Sequence, residues 1–176
     1  GVLLREAGVE ATAARVEETA EHLLARTEEL FLLGLPWRPG AQELLASIHD
    51  AGIPTALVTN TGRRLTDLAL RTIGTRWFAA TVCGDEVTHG KPAPDVYLRA
   101  TGLLGVPAQE CLAVEDSPTG AAAADAAGAV VLVVPCEVPV PDGPRRARRD
   151  TLAGLDVAGL SALYAEVRER TSSPVR

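Results

Sequence analysis

Residues 111–134 read Cys-Leu-Ala-Val-Glu-Asp-Ser-Pro-Thr-Gly-Ala-Ala-Ala-Ala-Asp-Ala-Ala-Gly-Ala-Val-Val-Leu-Val-Val. An apolar run over 111–114 predicts a buried strand. Ser117, with Pro118 at the first turn, opens an alanine-rich helix that runs to residue 127. Gly128 stands beyond its end, and the β-branched run 129–134 predicts a second strand. A strand, a helix and a strand in so few residues form a parallel crossover unit.

The same alternation extends outward from this unit. Residues 95–104 read as a helix ended by Gly105, and 78–83 as a strand. Residues 64–73 form a helix that stops at Gly74, and 53–58 form a short apolar strand. Residues 41–50 read as a helix with Leu44, Leu45 and Ile48 on one face. Beyond the unit, 135–150 is rich in Pro and Arg and reads as a solvated loop, followed by a helix over 160–170. Alternating strands and helices imply an α/β fold, a parallel sheet with helices on both faces. Residues 12–33 differ. They carry Val16, Ala20, Leu23, Leu24, Leu30 and Phe31 at helical spacing, and a linker over 35–40 separates them from the rest. Leu3 and Leu4 read as the end of an earlier helix that breaks at Gly8.

Bulk properties narrow the function. With 176 residues, 47% hydrophobic and 23% charged, the chain can bury one compact domain and a small appendage. A net charge of −6 argues against nucleic-acid and anionic-membrane partners. The basic cluster Arg145, Arg146, Arg148 and Arg149 is too local to outweigh it. No apolar run reaches the roughly 18–20 residues of a membrane span, and the first residues show no signal-peptide layout. Cys83, Cys111 and Cys136 are few and widely spaced, which suits a reducing cytoplasm and offers no zinc spacing.

Ligands of open α/β sheets bind beyond the carboxyl ends of the strands. Thr59-Asn60-Thr61-Gly62 follows the first strand, a turn of donors just before a helix. It suits a phosphate, or an ordinary helix cap. Gly90-Lys91-Pro92-Ala93-Pro94-Asp95 follows the second strand. Lys91 is the single lysine among 17 basic residues, and the prolines stiffen the chain around it. An ammonium held there can neutralise a phosphoryl group and an attacking carboxylate together. His89 reads as a solvent-facing neighbour, Asp95 as a helix cap and Cys83 as a core residue. Glu115-Asp116 follows the third strand. A carboxylate pair there suits a hard cation such as Mg²⁺, one side chain direct and the other through water, or a helix N-terminal cap favoured by the dipole.

In this order and setting, Leu57-Val58-Thr59-Asn60, Gly90-Lys91-Pro92-Ala93-Pro94-Asp95 and Glu115-Asp116-Ser117-Pro118-Thr119-Gly120 resemble the haloacid dehalogenase superfamily. The resemblance spans about residues 37–135. It is nearest the helical-cap branch, with its β-phosphoglucomutase-like phosphatases. It implies a Rossmann-like core over residues 36–176 and the C-terminal part of a helical cap over 1–35. It further implies that Thr59 hydrogen-bonds the transferred phosphoryl group, that Asn60 orients phosphate or substrate, and that Lys91 neutralises phosphate and nucleophile. Asp116 is implied to bind Mg²⁺ with help from Glu115. The implied activity is Mg²⁺-dependent hydrolysis of a small phosphorylated metabolite through an aspartyl-phosphate. A sugar-phosphate mutase or a non-catalytic fragment is the alternative.

One departure is large. The family's nucleophile lies in an Asp-x-Asp-Gly-Thr segment at the end of a first, central strand, and these 176 residues contain no Asp-x-Asp. The expectation is a longer protein with that segment before Gly1. Without the central strand, unpaired backbone groups would each cost about 1–3 kcal/mol, against a domain stability of about 5–15 kcal/mol. These residues alone are therefore expected to be inactive and poorly stable.

Overall fold

A computed structural model describes residues 10–172, together with Glu6 and Gly8. The earlier helix expected at Leu3 and Leu4 lies outside the described residues. The order is α1 (Ala13–Leu33), α2 (Ala41–Asp50), β1 (Ala56–Val58), α3 (Arg63–Ile73), β2 (Ala80–Val82), α4 (Asp95–Leu104), β3 (Leu112–Glu115), α5 (Pro118–Ala127), β4 (Val130–Val133), β5 (Arg146–Arg148) and α6 (Val157–Ser172). Every strand pair is parallel. The alternation in the sequence is therefore the alternation in the fold.

The strands fall into two hydrogen-bonded groups, β1-β2 and β3-β4-β5. Among the described residues no ladder joins them. The parallel strands thus stand in two pieces. Strand β4 carries the larger core. Val131 and Val133 pack on one face with Ala113 and the α4 and α5 residues Val96, Ala100, Ala121 and Ala124. Leu132 and Val134 turn to the other face, against Leu163, Leu160 and Ala147. All four are at most 4% exposed, so the unbroken apolar run has a physical reason: both its faces are covered.

Helix α5 begins and ends as its sequence predicts. The Ser117 hydroxyl accepts from the Gly120 N–H at 3.1 Å, and Gly128 takes a left-handed conformation at φ 95°. The alanines of α5 let it lie close on β3, β4 and α4. The loop expected over 135–150 needs correction, because β5 lies within it and pairs with β4. Its arginines do structural duty. Arg146 Nη2 meets Asp125 Oδ2 of α5 at 2.5 Å, and Arg145 Nη2 donates to the Asp125 carbonyl at 2.6 Å. Arg148 donates to the Val140 carbonyl.

Helix α1 buries no residue. It lies against α3, where Arg64 Nε pairs with Glu28 Oε1 at 2.8 Å and the Thr72 hydroxyl donates to the Phe31 carbonyl. Among the described residues no helix is long and apolar enough to cross a membrane.

The chain between α1 and α2 docks on the strand ends. Gly40 sits at φ 81°, and a Cβ there would lie 2.3 Å from the backbone nitrogen of Ala153. Gly40→Ala meets both left-handed strain, about 1–2 kcal/mol, and overpacking, about 1–3 kcal/mol. We expect it to lower stability by roughly 2–5 kcal/mol, read as the urea unfolding midpoint of the intact protein. A shift under about 0.5 kcal/mol would show that this backbone contact is not formed.

Candidate active site

The loops that follow β1, β2 and β3 converge on Lys91. Its Nζ donates to the Val58 carbonyl at the end of β1 (3.0 Å) and to Glu115 Oε1 at the end of β3 (2.5 Å). The two groups of strands are thus tied at their carboxyl ends by one ammonium. The Lys91 side chain is 11% exposed and that of Glu115 7%. The Tyr97 hydroxyl of α4 donates to the same Glu115 oxygen. Burial, reinforced by the Glu115 charge, pushes the Tyr97 hydroxyl pKa far up, so it stays a donor. The Lys91 ammonium also stands 5.1 Å from the Tyr97 ring centroid.

Asn60 fixes the Lys91 main chain. Its Oδ1 accepts from the Lys91 N–H (2.7 Å) and its Nδ2 donates to the Lys91 carbonyl (3.0 Å). The amide thus spends an acceptor and a donor on the loop, across a Lys91–Pro92 bond that is cis. Side chains would not fit alongside. A Cβ at Gly90 would lie 2.8 Å from Asn60 Oδ1, and one at Gly84 2.4 Å from the Asn60 carbonyl oxygen.

The N-terminus of α3 already has its anion. Both Asp85 carboxylate oxygens accept from the Arg63 N–H at 3.0 Å. The Arg63 side chain reaches Glu86 and the Thr81 carbonyl. The Cys83 N–H, with Arg63, holds the Glu86 carboxyl below its usual range. Thr59 Oγ1 accepts from the Thr61 N–H at 3.0 Å. Among the described residues its own hydroxyl proton meets no acceptor, so it can donate to one at the strand end.

Adjacent carboxylates at the end of β3 point to different surroundings. Glu115 turns inward, and its Oε2 lies so near α5 that a Cβ at Gly120 would come within 1.9 Å of it. Asp116 turns outward, with its side chain 55% exposed. Arg38, from the α1–α2 linker, approaches Asp116 Oδ2 at 3.7 Å and donates to the Pro135 carbonyl. Among the described residues no three His, Cys, Asp or Glu side chains form a metal-sized group. A hard cation that keeps several waters needs only one or two protein carboxylates. The exposed Asp116 fits that requirement, with Glu115 Oε2 behind it.

Thr59, Asn60, Lys91, Glu115 and Asp116 therefore share one shelf at the strand ends. The cleft lined by residues 148–159 and the one lined by His49, residues 52–55 and residues 76–79 include none of them. His89 is exposed, as expected. Asp95 does not cap α4 but accepts from the His89 N–H and ring (3.2 and 3.1 Å). Its place as the first residue of the helix, after Pro94, turns it toward the preceding loop. Cys83 is fully buried. Arg38, Asp85 and Tyr97 were not legible as site residues. Each acts across a long stretch of chain, and only the scarcity of tyrosine marks Tyr97.

Comparison with known proteins adds a family. The family model for haloacid dehalogenase-like hydrolases matches residues 3–128. A probable pseudouridine-5'-phosphatase of Drosophila melanogaster is 40% identical over 128 residues, 68% of this chain and 54% of that protein. Plasmid-encoded protein CbbY of Cupriavidus necator is 39% identical over 135 residues, 72% of this chain and 53% of that protein. The chain spans about half the length of these curated relatives. The crystal structure of CbbY from Rhodobacter sphaeroides in complex with phosphate superposes with a TM-score of 0.72 at 32% identity, covering 81% of this chain and 68% of that one. With its parallel strands, its Lys91–Glu115 junction and this match over most of its length, the chain belongs to the haloacid dehalogenase-like hydrolases.

Proposed function

We propose that these residues are the core of a Mg²⁺-dependent phosphomonoester hydrolase acting on a small phosphorylated metabolite. The observation that carries this reading is the Lys91 ammonium. It is held at the strand ends between a carbonyl and a buried carboxylate, beside a hydroxyl with a free proton. Phosphoryl transfer asks a protein chiefly for placed charge and placed donors. Lys91 supplies the charge. Its two acceptors and the Asn60 clamp leave it one orientation, so little reorganisation is needed as charge develops on the phosphoryl oxygens. Thr59 donates to one of those oxygens. Tyr97 and Glu115 hold Lys91 against the site. Asn60 acts on the substrate through Lys91, whose main-chain N–H and carbonyl its amide holds.

Asp116, with Glu115 behind it, would hold the cation, which supplies neutralisation of the phosphate charge when bound. The nucleophile is an aspartate that these 176 residues do not carry, and it forms an aspartyl-phosphate. The lack of Asp-x-Asp, the parallel sheet in two pieces and the half-length match to phosphatases support this assignment. Helix α1 is the C-terminal part of a cap over the shelf. Its exposed Leu24, Leu32 and Leu33 support an apolar partner beyond α3. The three cysteines are free thiols, which supports a reducing compartment, the cytoplasm.

Three variants test this reading in the intact protein. Asp116→Asn should abolish Mg²⁺-dependent release of phosphate from generic phosphomonoesters, and unchanged release would exclude the mechanism. Lys91→Met should lower kcat by about 10²–10³-fold and cost about 3–5 kcal/mol of stability, because Glu115 is left buried and unpaired. The double variant Lys91→Met/Glu115→Leu should regain most of that stability without regaining activity. If the double variant unfolds as readily as the single one, the pair is not a coupled buried ion pair.

A further inference from the structure

The linker between α1 and α2 lies across the ends of β3, β4 and β5. Arg38 reaches Asp116 after β3 and the Pro135 carbonyl after β4. The Pro39 carbonyl accepts from the Thr151 hydroxyl after β5 at 3.4 Å, and Gly40 is pressed on Ala153. The main chain at 39–40 is therefore fixed, while the Arg38 side chain is 41% exposed.

We propose that Arg38 and a divalent cation compete for the Asp116 carboxylate, so that Arg38 sets the affinity of the cation site. The inference rests on the proposed role of Asp116 as a cation ligand. A guanidinium 3.7 Å from the carboxylate neutralises part of the charge that draws a cation in. The Pro135 carbonyl holds one end of the guanidinium, so the group stays nearby after it leaves Asp116. The remaining acid, Glu115, offers the cation only its Oε2, because Lys91 and Tyr97 both use its Oε1. One basic residue outside the catalytic loops thus tunes the site, and it ties cation occupancy to the linker that leads to α1.

The test is Mn²⁺ binding to the intact protein, read by electron paramagnetic resonance and independent of turnover. Arg38→Gln keeps a donor for Pro135 but removes the charge. It should tighten binding about three- to tenfold at low ionic strength, with the gain shrinking as salt screens it. Arg38→Lys keeps the charge and should stay within about twofold of the parent, since a compact ammonium still opposes the cation. Asp116→Asn should abolish binding in every background. If the parent binds Mn²⁺ through Asp116 and Arg38→Gln leaves affinity equal or weaker, the inference is overturned and the proposed function stands. If the parent does not bind, or binds equally well without Asp116, both are overturned.

Discussion

The Lys91–Glu115 contact is the constraint on which the rest of the site depends. It joins strands that share no ladder, because Lys91 also holds the end of β1 through the Val58 carbonyl. A buried ion pair is not stabilising by default, since desolvation of both charges can exceed their attraction. Here further contacts offset the cost. Tyr97 adds a second donor to Glu115, Val58 a second acceptor to Lys91, and the tyrosine ring lies near the ammonium. A guanidinium is larger and planar and needs more than one acceptor in its plane. In a chain otherwise built with arginine, lysine stands at this point.

Around that pair the loops are locked to one another. Asn60 of the first loop holds the main chain of the second, and Asp85 of the second caps the helix that leaves the first. The Asp85 cap changes how the first loop works. A helix N-terminus free of side chains attracts any anion, whereas this one is filled. On the proposed function, Thr59 would be the discriminating donor, and the phosphate reading of that turn then rests on a hydroxyl and not on the α3 dipole.

Much of this was legible in the sequence because it is local. The β3-α5-β4 unit, its Ser117 start and its Gly128 stop are set by neighbours a few residues apart, and so are the ends of α2 and α4. Local patterns also put Thr59, Lys91 and Glu115-Asp116 at strand ends. What was not legible depends on distant partners. Strand β5 is three residues long in a Pro- and Arg-rich stretch, and its arginines look solvated until Asp125 is found opposite them. Asn60 has the composition of a phosphate ligand, yet its amide faces a main chain 31 positions away. Arg38 reads as linker until the loops after β3 and β4 are folded around it.

The close approach of Glu115 to Gly120 has a consequence for how such chains can vary. Gly120 is followed by four alanines, in a helix whose packing favours small side chains throughout. Alanine is also one base change from glycine in every glycine codon. Single-base substitution therefore offers, at this position, the replacement that the Glu115 carboxylate excludes. A helix that carries alanine at most of its positions therefore excludes it at the turn where alanine is closest to hand.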